Sequence, residues 1–260
     1  MSFQKTILDN GIVVITEYMP SVRSISLGLW FNVGSCDELP NQRGLAHFME
    51  HMMFKGTPTR TPFDISMHFD RLGAEFNAFT SKEYTCYYAR FVDDKLESAL
   101  EVLADMVINS SFSTEAISTE REVVLEEIAR SEDTPDDYVF ELFNQSMITD
   151  HALGLPVLGD KRLVSSYEHV DCVSFHDQHY GSGNLCIAAA GNIDHDALVK
   201  LTQAYFSSMN TLEKEQRNQD RVAYQSGCFS VTRDIEQAHI IYGVPGLALG
   251  DDRRFASGVL

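Results

Sequence analysis

Two histidines and a glutamate fall within five residues of one predicted helix, and this cluster restricts the fold more than any other feature of the sequence. His47 and His51 are one helical turn apart, so both imidazoles project from the same face, with Glu50 beside it. Two imidazoles and a carboxylate suit a divalent ion of borderline softness, zinc above all. The alternative, two surface histidines on a free helix, is disfavoured because the flanking residues are apolar and would bury the helix. These residues are Leu45, Phe48, Met52 and Phe54.

A glutamate-rich segment at residues 115–130 offers the third protein ligand that a catalytic zinc ion requires. Glu120 and Glu127 are seven residues apart on one helical face, with two valines between them. Glu122 and Glu126 lie on another face, where solvent and helical pairing suffice for them. A carboxylate on an apolar face is costly to bury unless a positive charge meets it. We therefore predict that Glu127 binds the metal and that Glu120 supports a histidine ligand.

The order of the predicted elements indicates an α+β fold: a mostly antiparallel sheet with helices packed on one face, and the metal site between sheet and helices. An Asn-Gly turn between two apolar runs predicts a hairpin at the beginning of the chain. Strands are predicted at residues 6–8, 12–16, 24–33, 75–80, 83–91 and 185–190. Helices are predicted at residues 44–54, 62–72, 95–109, 113–130, 135–147, 166–180 and 194–206.

The composition changes after residue 209, which suggests a division into three parts. We expect a zinc-binding catalytic domain at 1–209 and a polar linker at 210–226. Residues 227–260 would then begin a second domain that is truncated in this sequence. Within that part, strands are predicted at 229–231 and 239–244, and a helix is predicted to start at Asp251.

The chain is strongly acidic, with 38 Asp and Glu residues against 20 Lys and Arg and a formal net charge of −18. Such a surface repels phosphate backbones and anionic headgroups, so we expect no nucleic-acid partner and no membrane partner. An apolar content of 44% allows a buried core. The acidity leaves three options open: a basic peptide partner, a metal ion, or solubility alone.

Cysteine use and the N-terminal residues predict a cytoplasmic protein. The five cysteines are widely spaced, odd in number and form no CxxC pair, which is typical of reduced thiols rather than a disulfide framework. The first residues carry no signal-peptide pattern. A serine hydrolase is disfavoured because Ser182 has no visible base partner, and a thiol protease because no cysteine has a paired histidine.

The histidine-glutamate motif and the later glutamate together resemble a known family signature. The pattern HxxEH, with Glu127 76 positions after His51, is similar to that of the inverzincins, the pitrilysin and insulin-degrading-enzyme clan, especially its mitochondrial processing peptidase branch. The resemblance covers essentially the whole chain. Its most similar segments are 43–57, 76–81, 123–128, 153–159 and 189–193.

The resemblance implies a role for each residue of the site. His47, His51 and Glu127 would bind Zn²⁺, Glu50 would be the general base that activates water, and Glu120 would support the site. It also implies two homologous domains per full member, with the active chamber closed between the two halves, and a homodimer or a homologous partner subunit as the assembly.

Members of this family bind substrate as an additional strand on a sheet edge, which the resemblance places at Asn77, Ala78 and Phe79. Asn77 has two open interpretations, a side chain that bonds the peptide backbone or a structural residue beside a turn.

The sequence therefore predicts a zinc-dependent endopeptidase of the processing-peptidase type that hydrolyses unfolded or short peptides, with basic peptides as one option. Two alternatives stay open: a non-catalytic scaffold, partner subunit or inactive fragment that retains the fold, and a zinc-dependent peptide-binding module without turnover.

Overall fold

The computed structural model describes residues 3–212, 217 and 222–259. Within the predicted linker at 210–226, positions 213–216 and 218–221 lie outside the described residues, and the three-part division of the chain stays a prediction. Among the described residues, none of the helices has both the length and the apolar character that a membrane crossing requires.

A single six-stranded sheet forms the framework, in the order β1-β2-β6-β3-β5-β4. Only β2 and β6 are parallel, and every other neighbouring pair is antiparallel. The mostly antiparallel α+β fold is therefore as predicted. The strands are β1 (Phe3–Ile7), β2 (Val13–Tyr18), β3 (Ser24–Phe31), β4 (Glu75–Thr80), β5 (Thr85–Val92) and β6 (Leu185–Gly191).

The first hairpin follows from its turn residues. Gly11 adopts a φ of 93°, which the Asn-Gly pair allows and a residue with a Cβ would resist. Leu8 and Ile12 close the turn with a backbone hydrogen bond of 2.9 Å. Phe3 then pairs with Glu17 and Ile7 with Val13, so β1 and β2 form the predicted hairpin.

Helices cover one face of the sheet because the strands bury alternate residues. On β3, Ile25, Leu27 and Leu29 point into the core and are at most 1% exposed, whereas Ser26 on the opposite face is exposed. The longer helices are α1 (Leu45–Met52), α2 (Pro62–Leu72), α3 (Leu96–Asn109), α4 (Thr114–Asp133), α5 (Pro135–Met147), α7 (His169–His179) and α8 (His195–Tyr205). The short helices are α6 (Lys161–Val164) and α9 (Arg254–Ser257).

Local capping signals explain where several helices begin. The Thr61 hydroxyl accepts a hydrogen bond from the backbone N–H of Asp64, and the Asp64 carboxylate accepts one from the backbone N–H of Thr61, which forms a capping box ahead of α2. Ser113 caps α4 and Asp194 caps α8 in the same side-chain-to-backbone manner. The predicted helix at 166–180 is shorter in the structure, because Glu168 forms a capping box that starts α7 at His169.

The strands predicted at 229–231 and 239–244 are wrong. Neither segment is a strand in the structure, and Ile240 and Tyr242 are 87% and 90% exposed. A short apolar run becomes a strand only when another strand pairs with its backbone, and none of the six described strands lies beside these segments. The helix predicted from Asp251 is present as the single turn α9.

Candidate metal centre

Helix α1 carries the histidine-glutamate motif, and its first residues are held by a buried carboxylate. Glu38 accepts hydrogen bonds from the backbone N–H of Gly44 at 2.9 Å and of Ala46 at 2.8 Å. Burial raises the pKa of Glu38 to about 8, while the two amides act in the opposite direction. Gly44 has a φ of +97°, and a Cβ there would lie 2.7 Å from the carbonyl oxygen of Leu158. Only glycine therefore fits where the chain enters α1.

Three potential metal ligands converge where α1 contacts α4. The two Nε2 atoms of His47 and His51 are 3.3 Å apart, and Oε2 of Glu127 is 3.6 Å from the first and 3.5 Å from the second. They form the one cluster of three metal-binding side chains in the described part of the chain. The point equidistant from three atoms so arranged lies about 2.0 Å from each, the length of a zinc–nitrogen or zinc–oxygen bond in proteins. The donor set therefore fits a zinc ion.

The two histidines bring their Nε2 atoms to within 3.3 Å of each other. Burial, together with the neighbouring His51, lowers the pKa of His47 to about 3, so this imidazole is neutral at physiological pH. A neutral imidazole is the form that binds metal ions. The Nδ1 atom of His47 is buried without a hydrogen-bond partner, which leaves Nε2 as its accessible nitrogen.

Glu120, the predicted supporting residue, lies beside the cluster. Its Oε2 atom is 3.1 Å from Nδ1 of His51, and its side chain is only 5% exposed. A second contact was missed by sequence reasoning: Nζ of Lys55 is 2.6 Å from Oε1 of Glu120. Lys55 follows His51 by four residues but lies beyond the end of α1 at Met52, so helical spacing alone could not place it beside Glu120.

Glu50 faces the end of the neighbouring strand. Its carboxylate accepts hydrogen bonds from the hydroxyl and the backbone N–H of Thr80, the last residue of β4. Burial raises the pKa of Glu50, and the nearby Glu127 carboxylate adds to that rise, while Thr80 and His51 oppose it. Thr80 was also missed by sequence reasoning, because only the folded chain brings β4 to α1.

The predicted substrate residues lie on an exposed sheet edge. β4 is the last strand of the sheet and pairs with β5 alone. The Oδ1 atom of Asn77 accepts a 2.8 Å hydrogen bond from the backbone N–H of Ala78. In this conformation the Asn77 side chain therefore engages a backbone donor of β4 itself. Phe79 packs edge-on against Trp30 with ring centroids 5.7 Å apart and is 37% exposed.

The structure thus combines a mostly antiparallel α+β sheet with a His-His-Glu cluster that two helices bring together. The comparisons with known proteins give the family. The model of the insulinase family, peptidase family M16, matches residues 13–161, and the model of the peptidase M16 inactive domain matches residues 171–260. The chain belongs to the insulinase family M16.

Similar proteins carry names consistent with that family. An uncharacterized zinc protease of Streptomyces coelicolor is 43% identical over 264 residues, covering 99% of this chain and 58% of the relative. One of Rickettsia felis is 42% identical over 245 residues, covering 94% of this chain and 59% of the relative. The chain thus spans less than two thirds of the length of these curated relatives.

Solved structures share the fold at lower identity. A protease from Helicobacter pylori superimposes with a TM-score of 0.79 at 23% identity, covering 86% of this chain and 54% of that one. A periplasmic protease from Escherichia coli gives a TM-score of 0.74 at 22% identity, covering 85% of this chain and 25% of that one.

Proposed function

We propose that this chain is the zinc-binding part of an endopeptidase, in which His47, His51 and Glu127 hold the ion. The observation that carries the proposal is the convergence of three ligand atoms from two helices, spaced 3.3 to 3.6 Å apart. Zinc at that position supplies a Lewis acid that polarises the scissile carbonyl and acidifies water.

Glu50 is the proposed general base. It accepts a proton from the attacking water and delivers it to the leaving amine. Its position supports this role, because it lies on α1 between the two histidines and is held by Thr80 at the end of the edge strand. Glu120 does not touch the reacting atoms in this scheme and acts through His51.

The proposed substrate is an extended peptide that pairs with β4. An edge strand offers unpaired backbone groups to an unfolded or short peptide and not to a folded domain. Asn77 would have to release the N–H of Ala78 before a peptide carbonyl could use it, or bond the peptide with its own amide. Basic peptides are favoured by the net charge of −18.

The test compares the wild-type chain with Glu50→Gln. We expect the variant to keep its zinc content and to lose peptide cleavage by about 10² to 10⁴-fold, because the amide cannot accept the proton. Glu126→Gln is the matched control, since Glu126 is exposed on α4 beside a ligand and should leave cleavage unchanged. Equal cleavage by Glu50→Gln and wild type would exclude Glu50 as the base. A protein that takes up no zinc would overturn the site assignment.

A second candidate is a subunit that contributes the fold to an assembly without turning over substrate. Two observations favour it: residues 171–260 match an M16 domain described as inactive, and the curated relatives are longer. In this reading residues 227–260 belong to a second homologous domain, and a homodimer or a homologous partner subunit completes the chamber. Sedimentation of the chain, alone and with a candidate partner, distinguishes this candidate from the endopeptidase. A chain that sediments as a monomer and cleaves peptides would contradict the need for a partner subunit.

The cysteines support a cytoplasmic location as part of the proposal. All five are free thiols, and four of them are buried or half-buried.

A further inference from the structure

Lys55 contacts the candidate metal site through Glu120. The proposed zinc ligands do not by themselves explain how the Glu120 carboxylate is oriented. Glu120 supports His51, but a carboxylate is free to turn and offer either oxygen, or both, to one donor. In the structure the two oxygens are divided between two partners. Oε1 is 2.6 Å from Nζ of Lys55 and Oε2 is 3.1 Å from Nδ1 of His51.

The ammonium group of Lys55 determines the direction of these hydrogen bonds. An ammonium only donates, so Oε1 of Glu120 accepts. A carboxylate that faces a cation at this distance is an acceptor at its other oxygen too, and Nδ1 of His51 must therefore carry the hydrogen. The remaining nitrogen of His51, Nε2, keeps its lone pair, and this is the atom that faces His47 and Glu127.

Burial makes this arrangement costly to replace. The side chain of Glu120 is 5% exposed, whereas that of Lys55 is 32% exposed and that of His51 is 17% exposed. A buried carboxylate without a cation leaves an uncompensated charge. Lys55 supplies that charge from the side toward solvent.

The backbone around Lys55 is fixed on both sides. Helix α1 ends at Met52, and two further turns follow, in which the N–H of Phe54 bonds His51 and the N–H of Lys55 bonds Met52 at 3.2 and 3.1 Å. Beyond it, the carbonyl oxygen of Gly56 accepts a 3.0 Å hydrogen bond from Ser111. Lys55 therefore projects from a turn anchored to the rest of the domain.

We propose that Lys55 is a positioning residue: through Glu120 it fixes the tautomer and orientation of His51, so that Nε2 is held ready for a metal ion. The inference rests on the proposed zinc site and adds a residue to it. It concerns the geometry of a ligand and not the charge state of the site.

The experiment uses the 260-residue chain and the variants Lys55→Met, Lys55→Arg and Lys161→Met. Lys161 is the matched control, because it also pairs with a glutamate of α4, Glu132, but on an exposed surface. Zinc affinity is measured by chelator competition. The tautomer of His51 is read from side-chain ¹⁵N shifts of the metal-free protein, assigned with His51→Gln.

We expect Lys55→Met to weaken zinc binding by about 10 to 100-fold, as is typical when the partner of a metal-binding histidine is disturbed. The His51 signals should change from a single Nδ1–H tautomer to a mixture. Lys55→Arg should lie closer to wild type in both measurements, because it keeps the cation, and Lys161→Met should match wild type.

A Lys55→Met protein with wild-type zinc affinity and an unchanged His51 tautomer would overturn the inference, even if it melts at a lower temperature, since that result indicates a structural role alone. If wild type itself binds no zinc, the proposed function fails with it. If wild type binds zinc and Lys55→Met binds it equally well, only the inference fails.

Discussion

Glu120 and Glu127 share a face of helix α4 but lie in different surroundings. The side chain of Glu127 is 41% exposed and touches only the two histidines among its ion-pair partners, whereas that of Glu120 is 5% exposed and is paired with Lys55 and His51. In the proposed site, Glu127 therefore binds the metal ion and Glu120 supports His51.

This contrast gives a prediction for one chemical change at two positions. Glu127→Gln should weaken zinc binding strongly and leave the metal-free protein close to wild type in stability, because its side chain is only half-buried. Glu120→Gln should lower the free energy of unfolding of the metal-free protein by about 1–3 kcal/mol, because Lys55 and His51 lose a buried acceptor. Urea unfolding without metal and chelator competition measure the two effects. An equal loss of stability in both variants would contradict this assignment.

At the scale of elements, the carboxylate of Asp105 is one of the groups that tie the segment after α1 to α3. Asp105 accepts hydrogen bonds from Thr57 at 2.8 Å, from Arg60 at 2.6 Å and from Asn109 at 2.9 Å. Burial pushes the pKa of Asp105 upward, but these hydrogen bonds outweigh it and leave that pKa below its usual value. The turn that carries Lys55 is thus followed by a segment, residues 57–60, that the Asp105 carboxylate holds against α3.

A lowered pKa in the folded state means that ionised Asp105 stabilises the protein. This contribution is fully present above the unfolded value, about 3.9, and is lost as the pH falls through the lower folded value. We expect Asp105→Asn to destabilise the chain by about 1–3 kcal/mol at pH 7 and to reduce its further loss of stability below pH 4. Urea unfolding at several pH values measures both. A variant that loses stability with acid in parallel with wild type would exclude this role for Asp105.

Turn and capping residues in the sequence predicted those elements whose ends are set by hydrogen bonds between residues close together in the chain. The hairpin at Gly11, the capping box at Thr61 and the caps of α4 and α8 are each set within a few residues, and the structure has them. The strands expected at 229–231 and 239–244 failed because a strand also needs a distant partner. Thr80 and Lys55 were missed for the same reason, since their contacts with Glu50 and Glu120 join segments far apart in sequence.

The charge of the whole molecule gives a prediction that no single residue carries. A net charge of −18 attracts a cationic peptide at long range, and salt screens that attraction. Raising the ionic strength from about 0.01 M to about 0.15 M shortens the screening length from about 30 Å to about 8 Å.

We therefore expect kcat/KM for a lysine-rich peptide to fall several-fold over that range. The same peptide with glutamine in place of lysine is the control, and its kcat/KM should change little. Equal salt dependence for the two peptides would show that the field of the protein does not select basic substrates.

The position of β6 has a consequence for how the protein is made. This strand lies in the middle of the sheet, between β2 and β3, although it comes last of the six in the chain. A ribosome must therefore synthesise about 150 residues beyond Phe31 before that residue can pair with Leu185 and the hairpin can join the other three strands. Until then β3 presents an open edge, and pairings this distant in sequence are slow to form. Nascent chains of this protein should depend on chaperones during that interval, when every residue of the zinc site is already synthesised but its sheet is still in two pieces.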